Sequence, residues 1–251
     1  MSLHAERRGT GPRLVPVHGF TQTRRCWGPE VDALATDHEL VLVDAPGHGR
    51  SADVVADLPT GAELIVDQGA DATYLGYSMG ARFCLHVALS RPDRVRGLVL
   101  LGATAGIEDP TEREARHQQD LATAARIESE GLDAFLDGWL AQPLFAALPP
   151  ERAFRAQRLE NTVAGLQSSL EHAGTGSQAP SWHELHQLDM PALVLAGADD
   201  PKFSALAERL VAEIGVNATL ARIEGAGHAA HLEQPERFLA AVQPWLADHA
   251  R

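Results

Sequence analysis

Six short apolar runs, separated by helical patterns, constrain this 251-residue chain more than any other feature. They are Leu14-Val15-Pro16-Val17-His18, Glu39 to Asp44, Ala72 to Gly76, Val95 to Leu101, Ala192 to Gly197, and Ala218 to Ile223. Each is nearly continuous in apolar character, the pattern of strands covered on both faces. Parallel neighbours need crossovers, and helical patterns supply them. Met79 to Ser90 stops before Pro92, Phe203 to Ile214 ends at Gly215, and Pro235 to His249 has apolar residues at helical spacing. The alternation predicts an α/β fold with a mostly parallel sheet flanked by helices. The stretch 104–186 reads differently: charged, helical and strandless, broken at Pro143, Pro149 and Pro150, with an exit at Gly174-Thr175-Gly176-Ser177. The organisation expected is a core of residues 1–103 and 187–251, with 104–186 inserted as a helical cap.

Composition narrows the partners. Asp and Glu number 34 against 21 Lys and Arg, a net charge of −13. Such a chain lacks the basic footprint of a nucleic-acid binder, and an anionic membrane surface is disfavoured for the same reason. Arginines that serve an anionic ligand must be concentrated locally, against the sign of the whole molecule. No run of about 18 apolar residues occurs, which argues against a spanning helix. Met1 to Arg8 lacks the apolar segment of a signal peptide. Cys26 and Cys84 form no C-x-x-C pair and read as free thiols in a reducing compartment, so the expected location is the cytoplasm. The expected state is a monomer or small homo-oligomer.

The sharpest local signal is Gly76-Tyr77-Ser78-Met79-Gly80, a G-x-S-x-G pentapeptide between an apolar run and a helix. The glycines leave room for a tight strand-to-helix turn that lifts a serine hydroxyl clear of a sheet. Asp199 and Asp200 follow the fifth apolar run, and His228 follows the sixth in Gly225-Ala226-Gly227-His228. Serine, acid and histidine thus stand in the order of nucleophile-elbow triads, each at the carboxyl end of a strand, where open α/β sheets build their sites. A serine hydroxyl is unreactive at pH 7 unless an imidazole takes its proton. His228 fits that part, with a carboxylate to orient its ring. Asp199 and Asp200 compete for the last role, and the G-x-x-D spacing favours Asp200, which clears the strand end.

The backbone N–H groups of Met79, after the serine, and Phe20, in His18-Gly19-Phe20, are the natural oxyanion donors. His18 reads as ordering its loop. Asp44-Ala45-Pro46-Gly47-His48-Gly49-Arg50-Ser51 matches neither phosphate-binding pattern and reads as a structural turn. His183-x-x-His186 and His228-x-x-His231 lack the partners of a metal site, so no metal and no organic cofactor is implied.

Together, His18-Gly19-Phe20, Asp44 to Ser51, Gly76 to Arg82, Asp200-Pro201-Lys202-Phe203 and Gly227-His228 resemble the α/β-hydrolase fold over nearly the whole chain. Gly-Tyr-Ser-Met-Gly-Ala-Arg82, Gln142-Pro143-Leu144-Phe145 and the Asp-x-Lys-Phe run are similar, more narrowly, to the 2-succinyl-6-hydroxy-2,4-cyclohexadiene-1-carboxylate synthase family of menaquinone biosynthesis. The resemblance implies a lyase that eliminates pyruvate from 2-succinyl-5-enolpyruvyl-6-hydroxy-3-cyclohexene-1-carboxylate, a triad starting the reaction by proton abstraction. It implies carboxylate contacts at Arg82 and Arg116, with Trp139 and Tyr77 lining the site. A third arginine falls at Arg158 only with a two-residue gap, since ungapped matching from Pro143 places Glu160 there. A polycarboxylate calls for such residues, because guanidinium offers a planar, bidentate, permanently charged fork. Arg82 lies about one helical turn beyond Ser78 and can face the same mouth. Arg113 reads as part of a solvated helix face.

The residues alone leave Ser78 open as either base or nucleophile. A serine carboxylesterase or carbon–carbon bond hydrolase acting through an acyl-enzyme is therefore the alternative. A binding protein on the same fold has no need of all three groups. Dehalogenase chemistry would need an aspartate at position 78.

Overall fold

The apolar runs become strands within a residue or so of their sequence limits. The computed structural model describes residues 2–249. Among these lie seven strands: β1 (Ala5–Arg8), β2 (Arg13–Val17), β3 (Glu39–Val43), β4 (Ala72–Tyr77), β5 (Val95–Leu101), β6 (Ala192–Gly197) and β7 (Ala218–Ile223). The α-helices are α1 (Glu30–Leu34), α2 (Leu58–Gly69), α3 (Met79–Ser90), α4 (Pro110–Glu130), α5 (Leu132–Leu140), α6 (Arg155–Arg158), α7 (Val163–Ala173), α8 (Pro201–Ile214), α9 (Ala230–Glu233) and α10 (Pro235–His249).

The strands form one sheet in the order β1-β3-β2-β4-β5-β6-β7. All neighbours are parallel except β1, which runs antiparallel to β3 with Ala5 opposite Val43. β1 escapes a search for apolar runs because Glu6, Arg7 and Arg8 are charged, as sheet edges tend to be. At the other edge β7 is largely half-exposed, which corrects the expectation that every run is covered on both faces. Its outer side has no neighbouring strand among the described residues.

Alternate strand residues point to opposite faces, and the two faces have separate cores. Val15, Val43, Tyr74, Leu98 and Val194 pack with Ile65 of α2, Phe83 of α3 and Leu210 of α8. Leu14, Leu42, Leu75, Val99 and Leu195 pack with Leu34 of α1 and Phe238, Val242 and Trp245 of α10. This double covering is why the central strands read as unbroken apolar runs.

No strand interrupts residues 104–186 among the described residues. Helix α4 starts on Asp109, whose carboxylate accepts from the N–H groups of Thr111 and Glu112, satisfying two donors the helix cannot. Ala124 and Ile127 of α4, Phe135 of α5, and Leu166 and Leu170 of α7 make a small core of their own. The chain returns to the sheet at Trp182 and Leu185, which belong to the main core. No described helix is long and apolar enough to cross a membrane.

Candidate active site

Ser78 sits between β4 and α3 with φ 52° and ψ −109°, a conformation costing a side-chain-bearing residue about 1–3 kcal/mol. The turn closes only because its neighbours lack side chains. A Cβ on Gly76 would lie 2.4 Å from Ala81 Cα, and one on Gly80 only 1.9 Å from the Val17 carbonyl oxygen. The first turn of α3 is thereby pressed against the end of β2, and the serine is left half-buried at the carboxyl edge of the sheet.

Three side chains distant in sequence meet there. His228 Nδ1 lies 3.1 Å from Asp200 Oδ2 and Nε2 lies 3.0 Å from Ser78 Oγ. A carboxylate can only accept, so Nδ1 carries the proton and Nε2 accepts from the serine hydroxyl. Asp200 also caps α8, its Oδ1 accepting from the Phe203 N–H at 3.1 Å. Burial opposes ionisation of Asp200, but the hydrogen bonds from His228 and Phe203 outweigh it and hold its carboxyl below the usual range. Asp199 is exposed and makes no hydrogen bond to His228. Phe203 packs its ring 4.3 Å from the imidazole and Tyr77 packs at 5.4 Å. The Tyr77 phenol is raised by burial.

The loop after β2 brings Phe20 to the same edge. His18 Nδ1–H donates to the Gly19 carbonyl at 2.8 Å, and its Nε2 accepts from Ala45 N–H at 3.1 Å, so this ring ties two loops together. Gly19 N–H donates to Gln22 Oε1, and Thr21 is held at φ 65°. Its carbonyl accepts from Asn161 Nδ2 at 2.7 Å and its hydroxyl accepts from Arg158. The N–H groups of Phe20 and Met79 donate to no acceptor among the described residues.

A cavity of about 770 Å³ opens over Ser78 and His228, and its lining includes Phe20, Tyr77, Trp139 and Phe145. Five cations line it: Arg82, Arg116, Arg158, Lys202 and Arg209. Arg82 is 7% exposed, and its guanidinium makes no hydrogen bond or ion pair with any described residue. Burial, then the nearby Arg116, lowers it to about 10 against the pull of Asp120, so it remains charged at neutral pH. Arg116 donates to Asp120 Oδ1 at 2.8 Å and to Thr175 Oγ1 at 3.0 Å. Arg158 reaches the cavity but commits Nε to the Ala153 carbonyl at 2.7 Å and Nη1 to Thr21. Glu160 lies outside the lining and pairs with Arg25. Arg113 also stays out, donating to the carbonyls of Ile107 and Glu108. Trp139 packs edge-on against Phe20 at 5.2 Å, and its buried Nε1 has no hydrogen-bond partner among the described residues. Sequence reasoning passed over Asn161 and Arg209, which carry no motif, and quoted Lys202 only as part of a run.

A sheet of this order, with a strained serine, an imidazole and an acid at its carboxyl edge, defines a class. The chain belongs to the alpha/beta hydrolase family, whose pattern matches residues 14–241. Within it the chain falls among the 2-succinyl-6-hydroxy-2,4-cyclohexadiene-1-carboxylate synthases. One of that name from Enterobacter sp. is 35% identical, the match covering 96% of this chain and 92% of the relative. The solved structure of MenH from S. aureus superposes with a TM-score of 0.90 at 27% identity, over 98% of both chains. A malate-bound thermophilic esterase from Thermogutta terrifontis superposes with a TM-score of 0.85 at 25% identity, over 99% of this chain and 94% of that one.

Proposed function

We propose that this chain is a carbon–oxygen lyase converting 2-succinyl-5-enolpyruvyl-6-hydroxy-3-cyclohexene-1-carboxylate to 2-succinyl-6-hydroxy-2,4-cyclohexadiene-1-carboxylate and pyruvate. The observation that carries the reading is the buried Arg82 guanidinium, charged, without a protein acceptor and lining the cavity that holds Ser78. A buried cation is costly unless something pairs with it. A carboxylate-rich ligand does so, whereas a simple ester does not. The kinship with the synthases points to the same substrate.

The chemistry follows from the bonds that change. The ring hydrogen at C2 is acidic because it neighbours the succinyl ketone. Ser78 Oγ takes that proton as its own passes to His228 Nε2, and Asp200 holds the ring and balances the imidazolium. Negative charge collects on the ketone oxygen, which the N–H groups of Phe20 and Met79 receive. The electron pair then forms C2=C3, the former C3=C4 pair moves to C4=C5, and the C5–O bond breaks. Enolpyruvate departs with that bonding pair, is protonated at carbon by way of His228, and becomes pyruvate. Residues 104–186 act as the cap that closes the cavity over the ring.

The same three groups could instead form an acyl-enzyme, and the esterase neighbour shares the fold. The test is release of pyruvate from the substrate, generated in situ by the enzyme that makes it. The lyase releases one pyruvate per diene formed, and Ser78→Ala abolishes nearly all of it, since triad members act as a unit. A burst of acyl-enzyme on activated esters with no pyruvate would replace the lyase by a hydrolase.

A further inference from the structure

We propose that Lys202 is the contact for the carboxylate of the departing three-carbon fragment, an inference that rests on the lyase reading above. Among the five cations lining the cavity, three are already engaged. Arg116 is paired with Asp120, Arg158 with Ala153 and Thr21, and Arg209 with Glu108 at 2.6 Å while its guanidinium lies 3.9 Å above the Trp182 ring. Arg82 and Lys202 remain without a hydrogen bond or ion pair among the described residues, the ammonium touching only its neighbour's ring at 5.5 Å. Both line the cavity, one on the helix that follows Ser78 and the other on the helix that follows Asp200.

Lys202 is the only lysine in the chain, and local structure does not call for it. It occupies the second position of α8, directly after Pro201, where the helix dipole disfavours a cation. The acid nearest it, Asp200 at the N-cap, feels the ammonium's charge but spends its two oxygens on His228 and on the Phe203 N–H. Its placement makes sense against an anion in the cavity.

Exposure then divides the labour. Arg82 is buried and suits a carboxylate on the ring portion, which stays bound until the reaction is complete. Lys202 is exposed, on a flexible four-carbon stem, and suits a group that must leave first. It also adjoins Phe203, whose ring lies 4.3 Å from His228, the group that protonates the fragment. In the enolpyruvyl ether the carboxylate and the ether oxygen share one carbon. An ammonium on that carboxylate therefore also offsets the charge growing on oxygen as the C5–O bond breaks, and it acts on kcat as well as on KM.

The experiment compares wild type, Lys202→Met and Lys202→Arg, following the absorbance of the diene ring. Two inhibitors are used: pyruvate, and an aromatic analogue of the ring product that retains both of its carboxylates. Lys202→Met is expected to lower kcat/KM by about tenfold or more and to weaken pyruvate inhibition similarly, the scale of one charge-assisted hydrogen bond. Inhibition by the ring analogue stays unchanged, and Lys202→Arg restores most of the loss. If wild type turns over and Lys202→Met matches it in kcat/KM and in pyruvate inhibition, the lysine assignment falls while the lyase stands. A lower kcat/KM with pyruvate inhibition unchanged overturns it equally. If wild type forms no diene, both readings fall together.

Discussion

Arg82 shows at the scale of one side chain how a site can be held at the expense of stability. A buried cation is unfavourable, and among the described residues no hydrogen bond or ion pair relieves it, only the more distant pull of Asp120. Arg82→Ala should lower kcat/KM by about 10- to 100-fold, the scale of a hydrogen bond to a charged group. Arg7→Ala should leave it unchanged, since Arg7 pairs with Glu39 on the exposed edge of the sheet. Steady-state kinetics on both variants checks this, and equal rates refute the anion contact. Arg82→Met, which removes the charge and keeps most of the volume, is expected to lose activity while its melting temperature holds or rises. Arg82 was legible beforehand because it follows the serine by one turn of a helix whose start was itself legible. That its guanidinium would find no acceptor was not, since this depends on α4 and the loop near residue 175.

At the scale of elements, the loops at the sheet edge are joined by one amide. Asn161, between α6 and α7, donates to the carbonyls of Thr21 and Arg158 at 2.7 and 2.9 Å, and its Oδ1 accepts from Gly49 N–H at 2.8 Å. It thus links the loop after β2 and the loop after β3 to the segment between β5 and β6. Asn161→Ala should cost about 2–4 kcal/mol in denaturant unfolding, because the amide's hydrogen bonds go and buried groups lose their partners. The same change frees Thr21 from φ 65°, beside the N–H of Phe20, so kcat should fall more than KM rises. Unaltered unfolding and kinetics would show the amide to be incidental. No pattern around Asn161 announces this role. Arg158 is only three residues away, but Thr21 and Gly49 reach Asn161 through tertiary contacts alone, whereas Asp57 and Asp109, which cap their own helices, use neighbours two or three residues away.

Across the whole molecule, buried histidines set the response to acid. Burial first, then the neighbouring His18, pushes His48 down to about 3, and burial followed by Arg158 does the same to His231. Both are neutral when folded and would titrate near 6.5 when unfolded. Between those values the unfolded chain binds more protons, so stability falls as pH drops from about 6.5 toward 3. At pH 5 each group costs about 2 kcal/mol. Asp200 has the opposite sign: its depressed folded pKa adds stability above its unfolded value near 4, which is lost only in stronger acid. His231 packs among Trp27, Tyr77 and Phe238, with neither ring nitrogen hydrogen-bonded to a described residue. His231→Phe should therefore match or exceed wild type in stability at pH 7 and lose about 2 kcal/mol less between pH 7 and pH 5. Urea unfolding at the two values measures it, and parallel losses would contradict the assignment.

The central strands, the turn at Ser78 and the order of Ser78, Asp200 and His228 are all legible in the amino-acid sequence. Each of these depends on short-range facts: which residues avoid water, which side chains a tight turn excludes, and which groups follow a strand end. The charged edge strand β1, the half-exposed β7, the loop contacts of Asn161 and the division of five cavity cations into paired and unpaired were decided by the tertiary structure. A guanidinium or ammonium looks the same in any sequence. Whether it is spent on the protein or left for a ligand depends on acceptors contributed by distant segments, and only the folded chain brings those within reach.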